Sequence, residues 1–259
     1  MRKNSTGLLA TSVKKLQVYL PPGTSRFDRM VMLYNDILRL SYRIHNRKIV
    51  KCNICGWEGN RFLAFTGHTY AWYNVRCPGC YSMPRHRGLA EYLRNAGIVK
   101  KESRCLEIGA TSKAFKICLE ENGCQYYSVD LASNVATVKM DAQELGFSDS
   151  IFDLIICSHV LEHVSHDKKA IKEMHRILKP TGQCIVIVPI ARKRLTTIEY
   201  DAPNPREHGH VRSYGRDIVN RFNTSGFHVE WIHPAFTKDK VRSMALKEVD
   251  SGFFICKKD

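Results

Sequence analysis

Two C-x-x-C pairs in the first third of the chain have the spacing of metal ligands. They are Cys52 with Cys55 and Cys77 with Cys80. Four thiolates arranged in this way can occupy the corners of a tetrahedron, the geometry that Zn²⁺ adopts in structural sites. Because the segment is too short to build a substantial core, a bound ion would supply much of its folding free energy. The spacing therefore predicts a zinc ribbon with these four cysteines as ligands.

A second candidate site lies in residues 104–130. An apolar segment runs into a turn of small residues that begins at Gly109, and a helical segment follows. The next apolar segment ends on Asp130. A small turn lets a ligand approach the backbone, and an acid at the end of the second strand can accept hydrogen bonds from a ribose. The layout predicts a nucleoside-binding βαβ unit, with only the first glycine of the full G-x-G-x-x-G pattern present.

Residues 159–163 read His-Val-Leu-Glu-His, which fits the H-x-x-E-H pattern of one class of zinc peptidase. In such enzymes the two histidines share one face of a helix. Here the segment directly follows an apolar strand, residues 152–158, and no third ligand stands where a peptidase needs it. The sequence therefore disfavours the peptidase interpretation.

The elements that must position these residues can be read from the pattern after residue 104. Strand-like and helix-like segments alternate, which is typical of a doubly wound, mostly parallel α/β sheet. Strands are expected at 104–109, 125–130, 136–140, 152–158, 182–189, 227–232 and 251–257, and helices at 112–121, 166–178 and 214–225. The last two strands flank no evident crossover helix, so an antiparallel ending is expected. Apolar spacing over residues 26–47 predicts an amphipathic helix upstream.

The composition is that of a globular protein, with 259 residues of which 44% are hydrophobic and 25% charged. This length suits one large domain with a small appendage. We expect a basic lead-in and helix at 1–48, the zinc ribbon and a connecting helix at 49–101, and the α/β domain at 102–259.

Neither a run of 18 apolar residues nor a signal-peptide core is present, so no membrane span is expected. Ten cysteines without a disulfide framework favour a cytoplasmic location.

The positive charge is concentrated in the first hundred residues. Residues 1–100 hold 17 Lys and Arg against 4 Asp and Glu, whereas residues 101–259 hold 23 against 21. One interpretation is an electrostatic footprint for a polyanion such as RNA or an acidic glycan. The other is a solvated basic face without a partner.

The cluster Arg85-His86-Arg87 follows the second cysteine pair at the start of a predicted helix, with Pro84 near its first position. It allows two interpretations. The cluster holds an anionic group of substrate or cofactor, or it clamps the ribbon onto the α/β domain.

Several segments after residue 104 together resemble a known family. In chain order they are Leu106-Glu107-Ile108-Gly109-Ala110, Asp130, Asp141-Ala142-Gln143-Glu144-Leu145, residues 152–158, Val160-Leu161-Glu162-His163 and residues 177–182. The series resembles the class I S-adenosylmethionine-dependent methyltransferases of the type 11 group over residues 102–257. Residues 77–87, 200–203 and 208–215 also resemble a bacterial subgroup of these enzymes that carries an N-terminal zinc ribbon. The resemblance implies a seven-stranded Rossmann-like sheet and S-adenosylmethionine as cofactor.

By position, the resemblance implies ten cofactor-binding residues, which are Glu107, Ile108, Gly109, Ala110, Asp130, Leu131, Asp141, Ala142, Cys157 and Ser158. The first four form the cofactor loop, Asp130 binds the ribose and Leu131 lies against the adenine. Asp141 and Ala142 lie at the adenine's edge, and the last two beside the methionine portion. The residues Thr111-Ser112-Lys113 depart from the family, which usually has further glycines at these positions. The Cβ atoms that they carry leave a ligand less room to approach the backbone than glycines would.

Methyl transfer requires alignment of the acceptor and, for a hydroxyl or amine, removal of a proton. A histidine with a near-neutral pKa suits the second task. We expect His163 or His210 to be the general base and Arg212 to orient an anionic acceptor. The resemblance also allows an alternative, a divalent metal held by Glu162 and His163 with His159 and His210.

The sequence thus predicts methyl transfer to an O, N or C acceptor, which is a sugar, a glycan or another small molecule. An alternative is an RNA methyltransferase, acting on rRNA or tRNA, that uses the basic zinc ribbon. A further alternative is a non-catalytic binding module in which a degenerate methyltransferase domain supports the ribbon. An NAD-dependent enzyme is disfavoured, because Asp141 and Val160–His163 have no role in one. The sequence leaves the oligomeric state open.

Overall fold

The computed structural model describes residues 25–44, 48–66, 71–191, 193–246 and 252–258. Most of the predicted basic lead-in, residues 1–24, lies outside the described residues. The N-terminal part contains one long helix and four short strands, which are α1 (Ser25–Ile44), β1 (Val50–Lys51), β2 (Glu58–Gly59), β3 (Leu63–Thr66) and β4 (Ala71–Arg76).

The remainder of the chain alternates between helices and strands, as predicted. Its elements in chain order are α2 (Pro84–Asn95), β5 (Arg104–Ile108), α3 (Ala114–Glu120), β6 (Gln125–Asp130), β7 (Val138–Lys139), β8 (Phe152–Ser158), α4 (Asp167–Ile177), β9 (Leu178–Ile187), β10 (Ile198–Asn204), β11 (His210–Ser213), α5 (Ile218–Asn223), β12 (Phe227–Ile232), α6 (Lys238–Ser243) and β13 (Phe253–Lys258).

A seven-stranded sheet forms the centre of the molecule, in the order β12-β13-β9-β8-β5-β6-β7. Neighbouring strands from β7 to β9 are parallel, whereas β13 lies antiparallel to both β9 and β12. The predicted doubly wound sheet and its antiparallel ending are therefore confirmed. The chain leaves β5 towards β6 and β7, then returns to β8 on the other side of β5. This reversal creates a crevice at the carboxyl ends of β5 and β8, where ligands bind in folds of this type.

The apolar run of β8 explains why the sheet is covered on both faces. Successive side chains of a strand point to opposite faces. Ile155 and Cys157 join a core formed with α4 and α5, while Leu154 and Ile156 join one formed with α2 and α3. A strand buried on both sides is uniformly apolar. The helices α4 and α5 cover one face of the sheet, and α2 and α3 cover the other. A ligand can therefore approach β8 only at the end of the strand, where polar residues follow it.

The helix α1 packs against the ribbon. Its buried residues Val31, Tyr34 and Leu38 contact Leu63 and Ala64 of β3. The side chain of Asn35 extends the edge of that strand, because its Oδ1 accepts from the backbone N–H of Ala64 at 2.8 Å and its Nδ2 donates to the carbonyl of Ala64 at 3.0 Å.

Arg87 on α2 joins the ribbon to the α/β domain. Its guanidinium is fully buried and donates to the carbonyls of Ser82 at 2.7 Å, Val75 at 3.0 Å and Met244 at 2.8 Å. It also lies 4.1 Å from the ring centroid of Phe62. These carbonyls belong to the ribbon and to the chain just after α6. Of the two interpretations of the Arg-His-Arg cluster, the contacts of Arg87 support the clamp, formed by hydrogen bonds rather than by salt bridges.

Several elements differ from the sequence prediction. The helix expected at 214–225 is shorter, and the strand expected to begin at 182 begins at Leu178, directly after α4. The antiparallel pair β10 and β11 is missing from the prediction, and so is the helix α6, which lies between β12 and β13 where no evident helix was expected. Among the helices that the structure describes, none has the length and apolar character needed to cross a membrane.

Candidate active site and metal centre

The turn after β5 is built around Gly109. This residue has φ +85°, and its N–H donates to the carbonyl of Val129 at 2.8 Å. A Cβ added here would lie 2.2 Å from Cγ2 of Val160, in the turn that follows β8. Only glycine fits both the backbone conformation and this contact. The glycine therefore allows the turns after β5 and β8 to approach each other at the crevice, and Ala110 next to it is buried.

Glu107 is a buried carboxyl in the strand that leads to this turn. The hydroxyl of Tyr126, on the adjacent strand β6, donates a hydrogen bond to Oε2 of Glu107 at 2.5 Å. Burial raises the pKa of Glu107 to about 7, and the hydrogen bond from Tyr126 opposes that rise. Near neutral pH this carboxyl therefore exists in both protonation states.

Asp130 and Leu131 lie where β6 ends, two strands from β8. Oδ1 of Asp130 accepts hydrogen bonds from the N–H groups of Ala132 at 2.8 Å and Ser133 at 2.6 Å. These bonds fix the carboxylate at the end of the strand. Leu131 beside it is 69% exposed, an apolar surface suited to contact with the flat face of a base.

Asp141 and Ala142 belong to a turn that is joined to the segment after β8. Asp141 accepts from the backbone N–H of Gln143 at 2.8 Å. The side-chain oxygen of Gln143 in turn accepts from the hydroxyl of Ser165 and the N–H of His166, both at 3.0 Å. Ala142 is buried. Gln143 thus joins the turn that carries Asp141 and Ala142 to the segment that leads into α4.

Cys157 and Ser158 end β8 with different surroundings. The side chain of Cys157 belongs to the apolar core, and its complete burial raises the pKa of its thiol well above the ordinary value. The hydroxyl oxygen of Ser158 is buried, and it has no hydrogen-bond partner among the described residues. The ten predicted cofactor positions thus lie on β5, β6 and β8 or in the turns that follow β5, β6 and β7, and their roles remain predictions.

The turn after β8 and the start of β11 bring Glu162, His163 and His210 together. One ligand atom of each lies within 4.8 Å of the others. The two imidazole rings meet edge to face with centroids 4.8 Å apart. Burial lowers the pKa of His210, while the neighbouring Glu162 opposes that shift. The structure therefore places both predicted base candidates in one cluster at the carboxyl end of β8.

The β10–β11 hairpin positions His210. The backbone N–H of Val211 donates to the carbonyl of Glu162 at 2.8 Å, which fixes β11 against the turn. Arg212 follows and is almost completely buried. Its guanidinium donates to the carbonyls of Leu161, Val164 and Ser165.

Arg212 therefore holds the turn that carries Glu162 and His163. Its Nε also donates to Glu199 of β10 at 3.0 Å. These contacts make it a positioning residue for the cluster, and the predicted contact with an anionic acceptor remains a prediction.

The sequence analysis missed the polar network behind Arg212. The Tyr214 hydroxyl donates to Asp167 at 2.7 Å, and Arg221 donates to the same carboxylate at 2.6 Å and to Glu199 at 2.5 Å. Tyr214 lies within residues 208–215, a segment that carries part of the family resemblance, and this was the sequence signal that pointed to its importance. Its partners stand about 50 residues away in the chain, where no local pattern connects them.

The four cysteines of the ribbon converge. Sγ of Cys52 lies 3.7 Å from that of Cys80, Sγ of Cys55 lies 3.6 Å from that of Cys77, and all four lie within 4.8 Å of one another. A tetrahedron of sulfurs at 2.3 Å from a Zn²⁺ ion has edges of about 3.8 Å. The four thiols thus fit one zinc ion in number, type and spacing.

The fold and the crevice define a class I S-adenosylmethionine-dependent methyltransferase domain, and comparison with known proteins agrees. The family described as methyltransferase domain matches residues 82–231. The chain belongs to this family, and the methyltransferase class predicted from the sequence is confirmed.

Curated relatives align over only part of their length. The chain is 29% identical over 126 residues to the ubiquinone/menaquinone biosynthesis C-methyltransferase UbiE of Pseudomonas fluorescens, covering 48% of this chain and 47% of that protein. It is 39% identical over 61 residues to the protein of the same name from Pseudoalteromonas translucida, covering 24% of each. The chain spans less than half the length of these curated relatives.

Solved structures with a similar fold include an S-adenosylmethionine-dependent methyltransferase from Mesorhizobium loti, with a TM-score of 0.49 and 17% identity over 66% of this chain and 98% of that one. Another is the enzyme of the same description from Aquifex aeolicus, with a TM-score of 0.44 and 16% identity over 64% of this chain and 87% of that one.

Proposed function

We propose that the protein transfers the methyl group of S-adenosylmethionine to an oxygen, nitrogen or carbon atom of a small-molecule acceptor such as a sugar or glycan. The observation that carries this proposal is the crevice at the carboxyl ends of β5, β6 and β8. There a glycine that no other residue can replace stands beside a carboxylate fixed at the end of the neighbouring strand. That combination fits a nucleoside cofactor.

The cofactor would be held by the segments that line the crevice. Gly109 and Ala110 let it approach the backbone, Asp130 accepts from the ribose hydroxyls, and Leu131 covers the adenine. The other proposed cofactor-binding residues are Glu107, Ile108, Asp141, Ala142, Cys157 and Ser158. When bound, the cofactor supplies a methyl group on a sulfonium sulfur, and the electrons of the broken C–S bond return to sulfur as an acceptor lone pair forms the new bond.

The acceptor would meet His163 and His210, because their cluster lies at the same edge of the sheet as the crevice. His163 is exposed, so an acceptor can reach it from solvent. A neutral imidazole can take the proton that an attacking hydroxyl or amine must lose. Arg212 would act on this step by holding the turn that carries His163.

The ribbon would hold one structural Zn²⁺ through Cys52, Cys55, Cys77 and Cys80. Such a closed site leaves no position for a substrate. The ion would fix the strands β1 to β4 and thereby the surface against which α1 packs. The domain limits at 1–48, 49–101 and 102–259 remain part of this proposal.

RNA is the second candidate acceptor, and the charge distribution favours it. Residues 1–100 carry an excess of 13 positive charges, which would neutralise phosphates. Phe65 and Trp72 of the ribbon stack with ring centroids 6.1 Å apart, and aromatic side chains can stack with unpaired bases. Binding to RNA that weakens steeply with salt would support this acceptor.

The test is to incubate the purified protein with S-adenosylmethionine carrying a deuterated methyl group and with cell extract, and then to analyse both small molecules and RNA by mass spectrometry. The proposal predicts label in a small molecule, and much less label with the D130N variant, which retains the shape of the side chain but loses its charge. Label in RNA alone would establish the second candidate. A protein that neither transfers label nor binds the cofactor would be a non-catalytic module.

A further inference from the structure

Glu162 is a buried carboxylate without a hydrogen-bond donor. Its side chain is only 1% exposed, and neither of its oxygens accepts a hydrogen bond from the residues that the structure describes. One ionisable neighbour is the imidazole of His159, whose Nδ1 lies 3.0 Å from Oε1. Burial of an ionised carboxylate is unfavourable unless a cation and hydrogen-bond donors surround it. The fold therefore places a carboxylate in its interior with no Lys or Arg paired to it among the described residues.

Two imidazoles face the same point. His163 and His210 come from separate elements, the turn after β8 and the start of β11, and each offers a ring nitrogen within 4.8 Å of a Glu162 oxygen. Donors bound to one ion at 2.0–2.2 Å lie up to about 4.4 Å apart. The cluster is thus close to the size that a single ion requires.

We propose that Glu162, His163 and His210 bind one divalent transition-metal ion at the edge of the crevice. The ion would give the buried carboxylate a permanent positive partner. Two imidazoles and one carboxylate are the donors of mononuclear Zn²⁺ and Fe²⁺ sites, and such three-residue sites keep positions open for substrate. This site is separate from the four cysteines, whose donor set is all sulfur.

The backbone around the cluster is built to hold these ligands in place. Arg212 binds three carbonyls of the turn, and Val211 donates to the carbonyl of Glu162 itself. His163 is exposed while Glu162 is buried, so the open positions of the ion face solvent and the crevice. Ligands on rigid, cross-linked backbone are what a preorganised metal site needs.

The ion would narrow the class of acceptor, an inference that rests on the proposed function. A metal-bound hydroxyl loses its proton near neutral pH, because the ion stabilises the oxyanion. The favoured acceptor is then a small molecule with an ionisable hydroxyl that coordinates the ion. In this arrangement His163 and His210 are metal ligands, which replaces the role of general base given to them above, and the acceptor proton passes to solvent.

The test is the zinc content of the untagged full-length protein, saturated with Zn²⁺ and then desalted. We expect two zinc ions per chain in the wild type and one in the H163A/H210A variant, with the cysteine site as an internal reference. The control is H228A, an exposed histidine on β12, which should retain two. One ion in the wild type, or two in the double variant, would overturn the proposal.

E162Q provides a second route if the double variant fails to fold, because it preserves the size of the side chain. Calorimetric titration of Zn²⁺ into protein whose cysteine site is already filled should show binding weakened at least about tenfold. Equal affinity in wild type and E162Q would contradict the assignment.

Acetohydroxamate, a small chelator with two oxygen donors, tests whether the ion keeps an open position. It should bind the zinc-loaded wild type and not E162Q, and no binding to either would contradict an open metal position.

Cofactor binding separates this inference from the proposed function. Calorimetry with S-adenosylmethionine should give the same affinity for wild type and E162Q, since Glu162 is not among the cofactor residues. If two zinc ions bind but the cofactor does not, the metal site stands and the methyltransferase proposal fails. If the cofactor binds but only one zinc ion does, the methyltransferase proposal stands and the second metal site fails.

Discussion

Glu107 is a buried residue whose protonation should affect stability. Its pKa in the folded protein, about 7, is above the value of 4.5 that it has when exposed. The folded state therefore binds the proton more tightly, so this group stabilises the protein fully below pH 4.5 and loses that contribution as pH rises through 7. The loss is on the order of 3 kcal/mol.

Substitution E107Q should remove this pH dependence in the cofactor-free protein. Urea denaturation at pH 5 and pH 8 is expected to show that wild type loses more stability between these values than the variant does. E144Q, at an exposed position, serves as the control and should retain the wild-type slope. Equal slopes for wild type and E107Q would show that burial does not raise this pKa.

Gly109 should tolerate no side chain. In G109A the new Cβ meets Val160 at 2.2 Å and the residue remains at φ +85°, so we expect a loss of about 1–3 kcal/mol in the free energy of unfolding and of cofactor binding. Adding V160A should recover part of the stability, because the contacting methyl is removed. G146A is the control, since a Cβ there is 3.5 Å from its nearest neighbour. A G109A variant that binds the cofactor normally would contradict the close approach of the two turns.

Among elements, the β10–β11 hairpin has the most specific task, which is to hold the turn after β8. In R212M three carbonyls lose their donor and Glu199 loses one of its two arginine partners. Breaking a buried charged network of this kind costs about 3 kcal/mol. Urea denaturation should show that loss, whereas R206M, on the exposed turn of the same hairpin, should change little. An R212M protein as stable as wild type would mean that the turn holds without the arginine.

The elements also show what a sequence can and cannot predict. The path from β5 through Gly109 to Asp130 follows from local patterns, because strand, turn and helix are each encoded by adjacent residues. The contacts of Arg212 with residues 161–165 and of Tyr214 with Asp167 cross about 50 residues, and nothing in a local window specifies them. For the same reason the meeting of Glu162, His163 and His210 was available only as an alternative drawn from resemblance.

On the scale of the whole molecule, the ribbon and the α/β domain are joined through Arg87 and α2. Loss of the zinc site should therefore loosen the ribbon first, because its strands are short and its core small. In C52A, hydrogen exchange in residues 48–66 and 71–80 should accelerate strongly while β5 and β8 remain protected. C124A, whose thiol lies outside the cluster, should exchange as the wild type does. Unchanged exchange in C52A would contradict the proposal that a metal ion on the four cysteines stabilises the ribbon.

The central claim, that the crevice between β5 and β8 accommodates a sulfonium nucleoside, is tested most directly by titration calorimetry. S-adenosylmethionine should bind the wild-type protein with a stoichiometry of one. Affinity should fall at least about tenfold in D130N, because hydrogen bonds from the ribose to a charged carboxylate are lost while the amide oxygen still caps the turn. No heat with the wild type, or equal affinity in D130N, would contradict the account.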